Sequence, residues 1–249
     1  LVFTSSRFPD GERDKHDAWT CQAFSDFYVV FQDRKGSWSD TPDLFDNSEV
    51  INSPVNEGEI WFAPDGNTIY FSRCDSRAHE TQGCYVYYSK KGGASLDGDK
   101  NKGKSKGKKG KKDEGAEMNG EWSEPIKINI GDTTYNYLYP TLTHDQLTMY
   151  FSSDMPNGYG DYDLWVVTRK SVDDEFGTPV NLGSTVNSAG REVFPILRND
   201  STLYFSSNGL PGVGGLDIFK TAKNGRKWAT PENLIEDRKS GSAGMPRPI

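Results

Sequence analysis

The chain has 249 residues, of which 12% are aromatic, and a formal net charge of −7. This length suits one domain with a substantial core, and no apolar run approaches the length that crosses a bilayer. The acidic balance argues against nucleic acid as a partner, because the phosphate backbone attracts basic proteins.

A short motif built around an aromatic residue and serine occurs four times along the chain. It reads LVFTSSR from Leu1, IYFSRCD from Ile69, MYFSSDM from Met149 and LYFSSNG from Leu203. The aligned phenylalanines are separated by 68, 80 and 54 residues, and visible polar insertions lengthen the first two steps. Recurrence at a few tens of residues is typical of solenoids and propellers.

Each copy is followed by the same segments in the same order. A second apolar run comes after a turn, then an aromatic residue shortly before a proline, then a segment such as EIWFAPDG that precedes the next copy. We name the strands a (EIWFAPDG type), b (IYFS type), c (DLWVV type) and d (aromatic to proline). Short aromatic and β-branched runs bounded by turn residues indicate strands. The pattern predicts an all-β chain, a single β-propeller domain over 1–249 with four-stranded antiparallel blades.

Alternation within the motif predicts which side chains pack between blades. In a strand, tyrosine lies on one face while the aliphatic residue and phenylalanine lie on the other. We therefore expect the six ring side chains of the last three copies to fill the spaces between blades: Tyr70, Phe71, Tyr150, Phe151, Tyr204 and Phe205.

The connection between strands b and c carries its own pattern. The glycines of GYGDYD and GVGGLD are expected to give this turn a positive φ. Asp163 and Asp217, which begin strand c, are expected to accept hydrogen bonds from the turn.

The two ends of the chain leave the number of blades open. The chain begins in strand b, and residues 247–249 align with strand a. Either this last segment completes the first blade and closes a four-bladed ring, or the four units belong to a longer protein with more blades.

A Lys/Gly-rich insertion at about 92–119 interrupts the second unit between strands c and d. Residues 100–112 contain eight lysines and no acidic residue. Such a run could bind nucleic acid, an acidic membrane surface or the acidic remainder of the chain. We favour a solvated, flexible insertion, because glycine and lysine without aromatics bury too little surface to offset the entropy of ordering.

The b to c connections are the expected binding face. In an antiparallel blade they lie on one face of the ring, and the a to b and c to d connections lie on the other. Variable loops on a rigid scaffold commonly carry function. The candidate binding residues are the large or charged side chains of these loops: Arg7, His16, Trp19, Arg77, His79, Tyr159 and Tyr162.

The cysteines predict one disulfide. Cys74 aligns with Asp154 and Asn208, and Cys84 aligns with Asp163 and Asp217, so both flank one b to c connection. A Cys74–Cys84 bond would close a loop of about ten residues and contribute about 2 to 3 kcal/mol. Cys21 would remain a free thiol, and an intact bond would indicate an oxidising compartment.

Catalytic and metal-binding patterns are weak. His16 and His79 could approach each other in neighbouring loops, but they lack a third ligand at a recognisable spacing. Asp154, Asp161 and Asp163 could surround Ca²⁺, yet they serve equally well as turn residues. No nucleophile elbow, phosphate-binding loop or HEXXH motif is present. We expect no enzyme activity, no cofactor and no metal.

The PDG turn, the YFSS motif, the Gly-rich loop and GLDIF together resemble the WD40-like PD40 propeller repeats of bacterial envelope proteins, which are related to the TolB propeller. The pattern FSSNG, GGLDIF, then W, P, NLG and VNS is most similar to propellers attached to OmpA-like peptidoglycan-binding domains in Bacteroidota. One such architecture belongs to a periplasmic component of type IX secretion. The resemblance implies a parent with five or more blades, a periplasmic or outer-membrane-associated location, and cell-wall association through neighbouring domains.

Three hypotheses for function follow. The first is a scaffold that binds other envelope proteins, because a rigid ring with variable loops and no catalytic constellation suits interaction. The second is a glycan or peptidoglycan-binding propeller, which exposed Trp and Tyr along a groove would favour. The third is a glycoside hydrolase, which two carboxylates near the ring axis would favour.

Overall fold

The computed structural model describes residues 1–6, 25–45, 50–77, 80–92 and 121–235. The Lys/Gly-rich insertion, Cys21 and residues 247–249 lie outside these ranges, so the expectations about them remain predictions. No helix within the described ranges has the length and apolar composition needed to span a membrane.

The described residues form four antiparallel sheets, one per repeat, arranged as the blades of a β-propeller. The first blade contains β1 (Val2–Ser5), β2 (Asp26–Val29) and β3 (Asp43–Leu44). The second contains β4 (Asn56–Phe62), β5 (Thr68–Arg77), β6 (Glu80–Lys90) and β7 (Ile126–Lys127). The third contains β8 (Tyr137–Leu142), β9 (Thr148–Ser153), β10 (Asp163–Thr168) and β11 (Val180–Asn181). The fourth contains β12 (Glu192–Arg198), β13 (Thr202–Ser207), β14 (Asp217–Asn224), β15 (Lys227–Trp228) and β16 (Glu232–Asn233). The predicted fold class is confirmed.

The innermost strands are the a strands β4, β8 and β12, and β8 contacts both of the others. Each has a register shift against its b strand, which is the mark of a β-bulge. The bulge contains a non-glycine residue with positive φ: Glu59 at 35°, Tyr139 at 59° and Phe194 at 55°. Because a bulge changes the direction of a side chain, these three residues mark equivalent points beside the ring axis.

The alternating faces of strand b pack between blades as the sequence predicts in the second and third blades, whereas Tyr204 of the fourth blade is only half-buried. Phe71 packs toward the first blade, with its ring 5.7 Å from that of Phe27 and at nearly a right angle to it. Tyr70, the next residue, belongs to the core shared by the second and third blades, which includes Phe151. Phe205 packs in the core between the third and fourth blades. Large rings on both faces of the second and third sheets therefore hold neighbouring blades together.

Polar residues of the motifs also join the blades. Ser72 Oγ accepts a hydrogen bond from Tyr139 N at 2.7 Å, and Ser152 Oγ donates to Glu192 O at 2.6 Å. Asn187 bonds to both backbone groups of Leu164 in the third blade: its Oδ1 accepts from Leu164 N at 2.8 Å, and its Nδ2 donates to Leu164 O at 3.1 Å. Each of these bonds satisfies buried backbone where two sheets meet.

The second blade differs from the expected loop at its b to c connection. The sequence predicts a loop at 74–83, but β5 continues to Arg77 and pairs with Glu80 of β6, so the two strands form an extended hairpin. Cys74 and Cys84 are register partners and form the predicted disulfide. The disulfide therefore joins two paired strands of a hairpin and does not close an open loop.

Candidate functional site

Two aspartates hold the b to c loops of the third and fourth blades in matching conformations. Asp163 accepts hydrogen bonds from Tyr159 N at 2.6 Å and Gly160 N at 3.1 Å. Asp217 accepts from Val213 N at 2.7 Å and Gly214 N at 3.1 Å. The predicted role of these aspartates is confirmed, and their loops are ordered by charge-assisted hydrogen bonds.

The expected reason for the loop glycines is wrong. Gly158, Gly160, Gly212 and Gly214 do not have positive φ. A Cβ atom on Gly158 would stand 2.5 Å from Asp163 Oδ2, and one on Gly212 would overlap the Asp217 carboxylate. Gly158 and Gly212 are required because the carboxylate occupies the space that a side chain would need. At Gly160 a Cβ atom would instead overlap Gly190 O.

The two loops present apolar side chains to solvent. Tyr159 is 52% exposed, Val213 is 65% exposed and Leu216 is 50% exposed. Tyr159 and Val213 are equivalent, since each precedes its aspartate by four residues and donates its N–H to it. We call Tyr159, Val213 and Leu216 the b–c patch. Hydrogen bonds to Asp163 and Asp217 fix the backbone of these loops, and the three side chains remain exposed to solvent.

Tyr162 and Arg191 join the b–c patch to the inner strands. Glu192 N donates to Tyr162 O at 2.7 Å, and Asp161 N donates to Gly190 O at 2.9 Å. The Arg191 guanidinium lies 5.9 Å from the centroid of the Tyr162 ring and forms an exposed ion pair with Asp161 at 3.3 Å. Burial is the main cause that raises the pKa of Tyr162, so its phenol stays protonated at neutral pH.

Beside the ring axis, the bulge residues are half-buried and largely apolar. The rings of Tyr139 and Phe194 have centroids 4.3 Å apart. Burial, followed by the negative charge of Glu59, raises the pKa of Tyr139 to about 12. Burial also raises the pKa of Glu59. Among the three described bulges Glu59 is the one carboxylate, so these blades offer no carboxylate pair at that level of the axis.

The structure describes only part of the set of sequence-predicted binding residues. Tyr159 and Tyr162 lie close together at the b to c end, as expected. Arg77 ends β5 at the far end of the extended hairpin. Arg7, His16, Trp19 and His79 lie outside the described residues.

The sequence analysis missed Val213, Leu216 and Arg191. Val213 carried a usable signal, because counting back from Asp217 places it in register with Tyr159. Leu216 carried the same signal, because it directly precedes Asp217 as the candidate Tyr162 directly precedes Asp163. Arg191 belongs to the d to a connection, and only the folded ring places that connection beside Tyr162.

The three aspartates considered for Ca²⁺ have separate partners. Asp154 accepts from Asn136 N and Asn136 Nδ2, each at 2.7 Å. Asp161 pairs with Arg191, and Asp163 binds the loop backbone. Over the described part of the chain, no group of three His, Cys, Asp or Glu side chains is arranged to hold a metal ion.

Several solved propellers are similar to this chain. TolB from Acinetobacter baumannii is 12% identical with a TM-score of 0.38, and the alignment covers 82% of this chain and 37% of that one. An α-L-arabinofuranosidase from Lactobacillus brevis is 14% identical with a TM-score of 0.42, covering 78% of this chain and 61% of the other. A puromycin-hydrolyzing peptidase from Mycobacterium tuberculosis is 12% identical with a TM-score of 0.41, covering 82% and 27%.

This chain thus spans less than two thirds of the length of these proteins, and the likeness concerns the fold alone. No protein-family model matches the sequence. A search of curated proteins finds no match either.

Proposed function

We propose that this chain is a non-enzymatic propeller of the bacterial envelope that binds partner proteins through the b–c patch. The observation that carries the proposal is the exposure of Tyr159, Val213 and Leu216 on two adjacent loops whose backbones are fixed by Asp163 and Asp217. Exposed apolar groups on a fixed backbone lose little conformational entropy when a partner covers them.

The surroundings of the patch suit a protein partner. Tyr and Arg are enriched among residues that dominate protein interfaces, and Tyr162 with Arg191 borders the apolar side chains. The Asp161–Arg191 ion pair is exposed and can reorient toward a partner. The partner would be another envelope protein, with type IX secretion among the assemblies that the motif resemblance suggests.

Two further points support the non-enzymatic and envelope parts of the proposal. The described bulges place Glu59, Tyr139 and Phe194 at equivalent positions, an arrangement without the two carboxylates of a typical glycosidase. The Cys74–Cys84 disulfide suits an oxidising compartment such as the periplasm.

The test compares a patch variant with a matched surface variant. Tyr159→Ala combined with Val213→Ser removes the two equivalent side chains, and Val180→Ser changes an equally exposed apolar residue on the outer strand β11. Affinity purification from envelope extracts, quantified by mass spectrometry, should show partners that are lost with the patch variant and retained with Val180→Ser. Equal recovery with both variants would refute the assignment of the patch. Recovery of cell-wall fragments in place of proteins would support the glycan-binding alternative.

A further inference from the structure

A cleft of about 540 Å³ opens on the opposite end of the ring, between the second blade and the a to b turn and c to d connection of the third blade. Its position is set by the a to b turns and the c to d connections, so it is separate from the b–c patch. Tyr88, Ile126 and Phe176 contribute an aromatic and aliphatic lining.

One wall of the cleft holds a guanidinium in a fixed orientation. Arg169 Nε donates to Gln146 O at 2.9 Å, and Arg169 Nη2 donates to Tyr70 OH at 2.9 Å. The guanidinium also lies 4.4 Å from the centroid of the Phe176 ring. These contacts leave the Nη1 hydrogens free, and the ion pairs of the described residues involve Arg73 and Arg191 but not Arg169.

The second blade adds two lysines to the same cleft, Lys90 and Lys127. Lys127 Nζ lies 3.1 Å from the centroid of the Tyr85 ring, and Lys90 Nζ lies 5.9 Å from that of Tyr88. Neither forms an ion pair with a described carboxylate. Partial burial lowers the pKa of Lys127. Because this ammonium group has already lost part of its hydration, an anionic partner that contacts it has less water to displace.

Carboxylates line the cleft as well, with Asp65 on the second blade and three acidic residues on the third. Asp173, Asp174 and Glu175 line the cleft on exposed positions of the c to d connection. No described Lys or Arg lies within ion-pair distance of them. The cleft therefore keeps cations and carboxylates around one space without pairing them.

We propose that this cleft binds an extended peptide segment that carries one acidic and one basic side chain. The acidic side chain would take the free edge of Arg169, in the planar geometry that suits a carboxylate, with Lys90 and Lys127 nearby. The basic side chain would take Asp173, Asp174 and Glu175. Both blades contribute both signs of charge to the cleft. A ligand of one sign would leave the opposite set of cleft charges without a partner, so the lining favours a ligand that carries both signs.

Three capped synthetic heptapeptides test the proposal: one with a glutamate and an arginine two residues apart, one with the glutamate alone and one with the arginine alone. Binding to the full chain is measured by fluorescence anisotropy at low ionic strength, where exposed charges are least screened. The two-charge peptide should bind at least about tenfold more tightly than either single-charge peptide, the factor expected from one additional charge-assisted hydrogen bond. Equal affinities for the three peptides would overturn the proposal.

Variants locate the binding on the protein. Lys127→Gln and Glu175→Gln, both at exposed positions, should each weaken binding of the two-charge peptide several-fold, whereas Lys227→Gln and Glu232→Gln on the fourth blade should not. Glu175→Lys should shift the preference toward the glutamate-only peptide. Unchanged affinity in the cleft variants would refute the site, and the patch variant Tyr159→Ala should bind these peptides normally.

Discussion

Glu57 is a buried carboxylate whose environment predicts an unusual dependence of stability on pH. It lies on β4 next to the first blade, where its N–H donates to Ser25 O at 2.9 Å. Arg73, its register partner on β5, donates from Nε to Glu57 Oε1 at 3.0 Å, and Ser53 donates to the same oxygen from its N and Oγ. Glu57 Oε2 is buried without a hydrogen-bond partner.

Burial raises the pKa of Glu57 from 4.5 to about 8, with Asp26 adding to the rise and Ser53 and Arg73 opposing it. A folded-state pKa above the unfolded one means that the native state binds this proton more tightly. The stabilising contribution is therefore complete below about pH 4.5 and is lost as the pH rises through 8. At about 1.4 kcal/mol per pH unit, the free energy of unfolding falls by at most about 5 kcal/mol across that window.

The substitution Glu57→Gln removes the titrating group while keeping an oxygen for Arg73 and Ser53. The free energy of unfolding is measured by urea denaturation, followed by tryptophan fluorescence, at about pH 5 and about pH 8. Between these two pH values the stability of the variant relative to the wild-type chain should rise by several kcal/mol, because only the wild type loses the contribution of Glu57. Glu192→Gln is the matched control, since Glu192 occupies the equivalent position on β12 but both of its oxygens accept hydrogen bonds, from Ser188 and Ser207. A stability difference between Glu57→Gln and wild type that stays constant with pH, or changes in the opposite direction, would show that Glu57 is ionised in its pair with Arg73.

Three further predictions concern the blades. Replacing Cys74 and Cys84 with Ser should lower the free energy of unfolding by about 2 to 3 kcal/mol, measured by urea denaturation, and an unchanged midpoint would show that the bond adds no stability. Leu164→Ala should cost about 2 to 5 kcal/mol because this side chain is fully buried between the third and fourth blades, whereas Ile218→Ala at the equivalent, 52% exposed position should cost less than about 1 kcal/mol. Similar losses in thermal unfolding of the two variants would indicate that another sheet covers Ile218 in solution. Replacing residues 93–120 with a two-residue turn should shift the melting temperature by no more than a few degrees, because Gly92 N already donates to Glu121 O at 3.1 Å and the two ends of the segment meet. A large loss of melting temperature would show that the segment packs on the blades.

The strand order and the packing faces could be predicted from the sequence because they depend on local, repeated patterns. Alternation places Phe71 and Tyr70 on opposite faces wherever the strand lies. The aspartates that begin strand c act on residues three and four positions earlier, so Asp163 and Asp217 needed no tertiary information. The disulfide also followed from alignment, since two equivalent positions flank one connection in every blade.

Contacts between segments distant in sequence required the tertiary structure. The sequence shows that Gly158 and Gly212 are glycines, but the position of each aspartate carboxylate, which excludes a Cβ atom, is the actual reason for them. The positive φ of Glu59, Tyr139 and Phe194 comes from a register shift between strands a and b, and none of these residue types suggests it. Likewise, the ring of blades brings together segments that no local pattern relates. Arg191 therefore contacts Tyr162, and Arg169 of the third blade bonds to Tyr70 of the neighbouring second blade. Periodicity along the chain determines which way a side chain faces within its own sheet, whereas the neighbour that it meets depends on how the sheets pack around the axis.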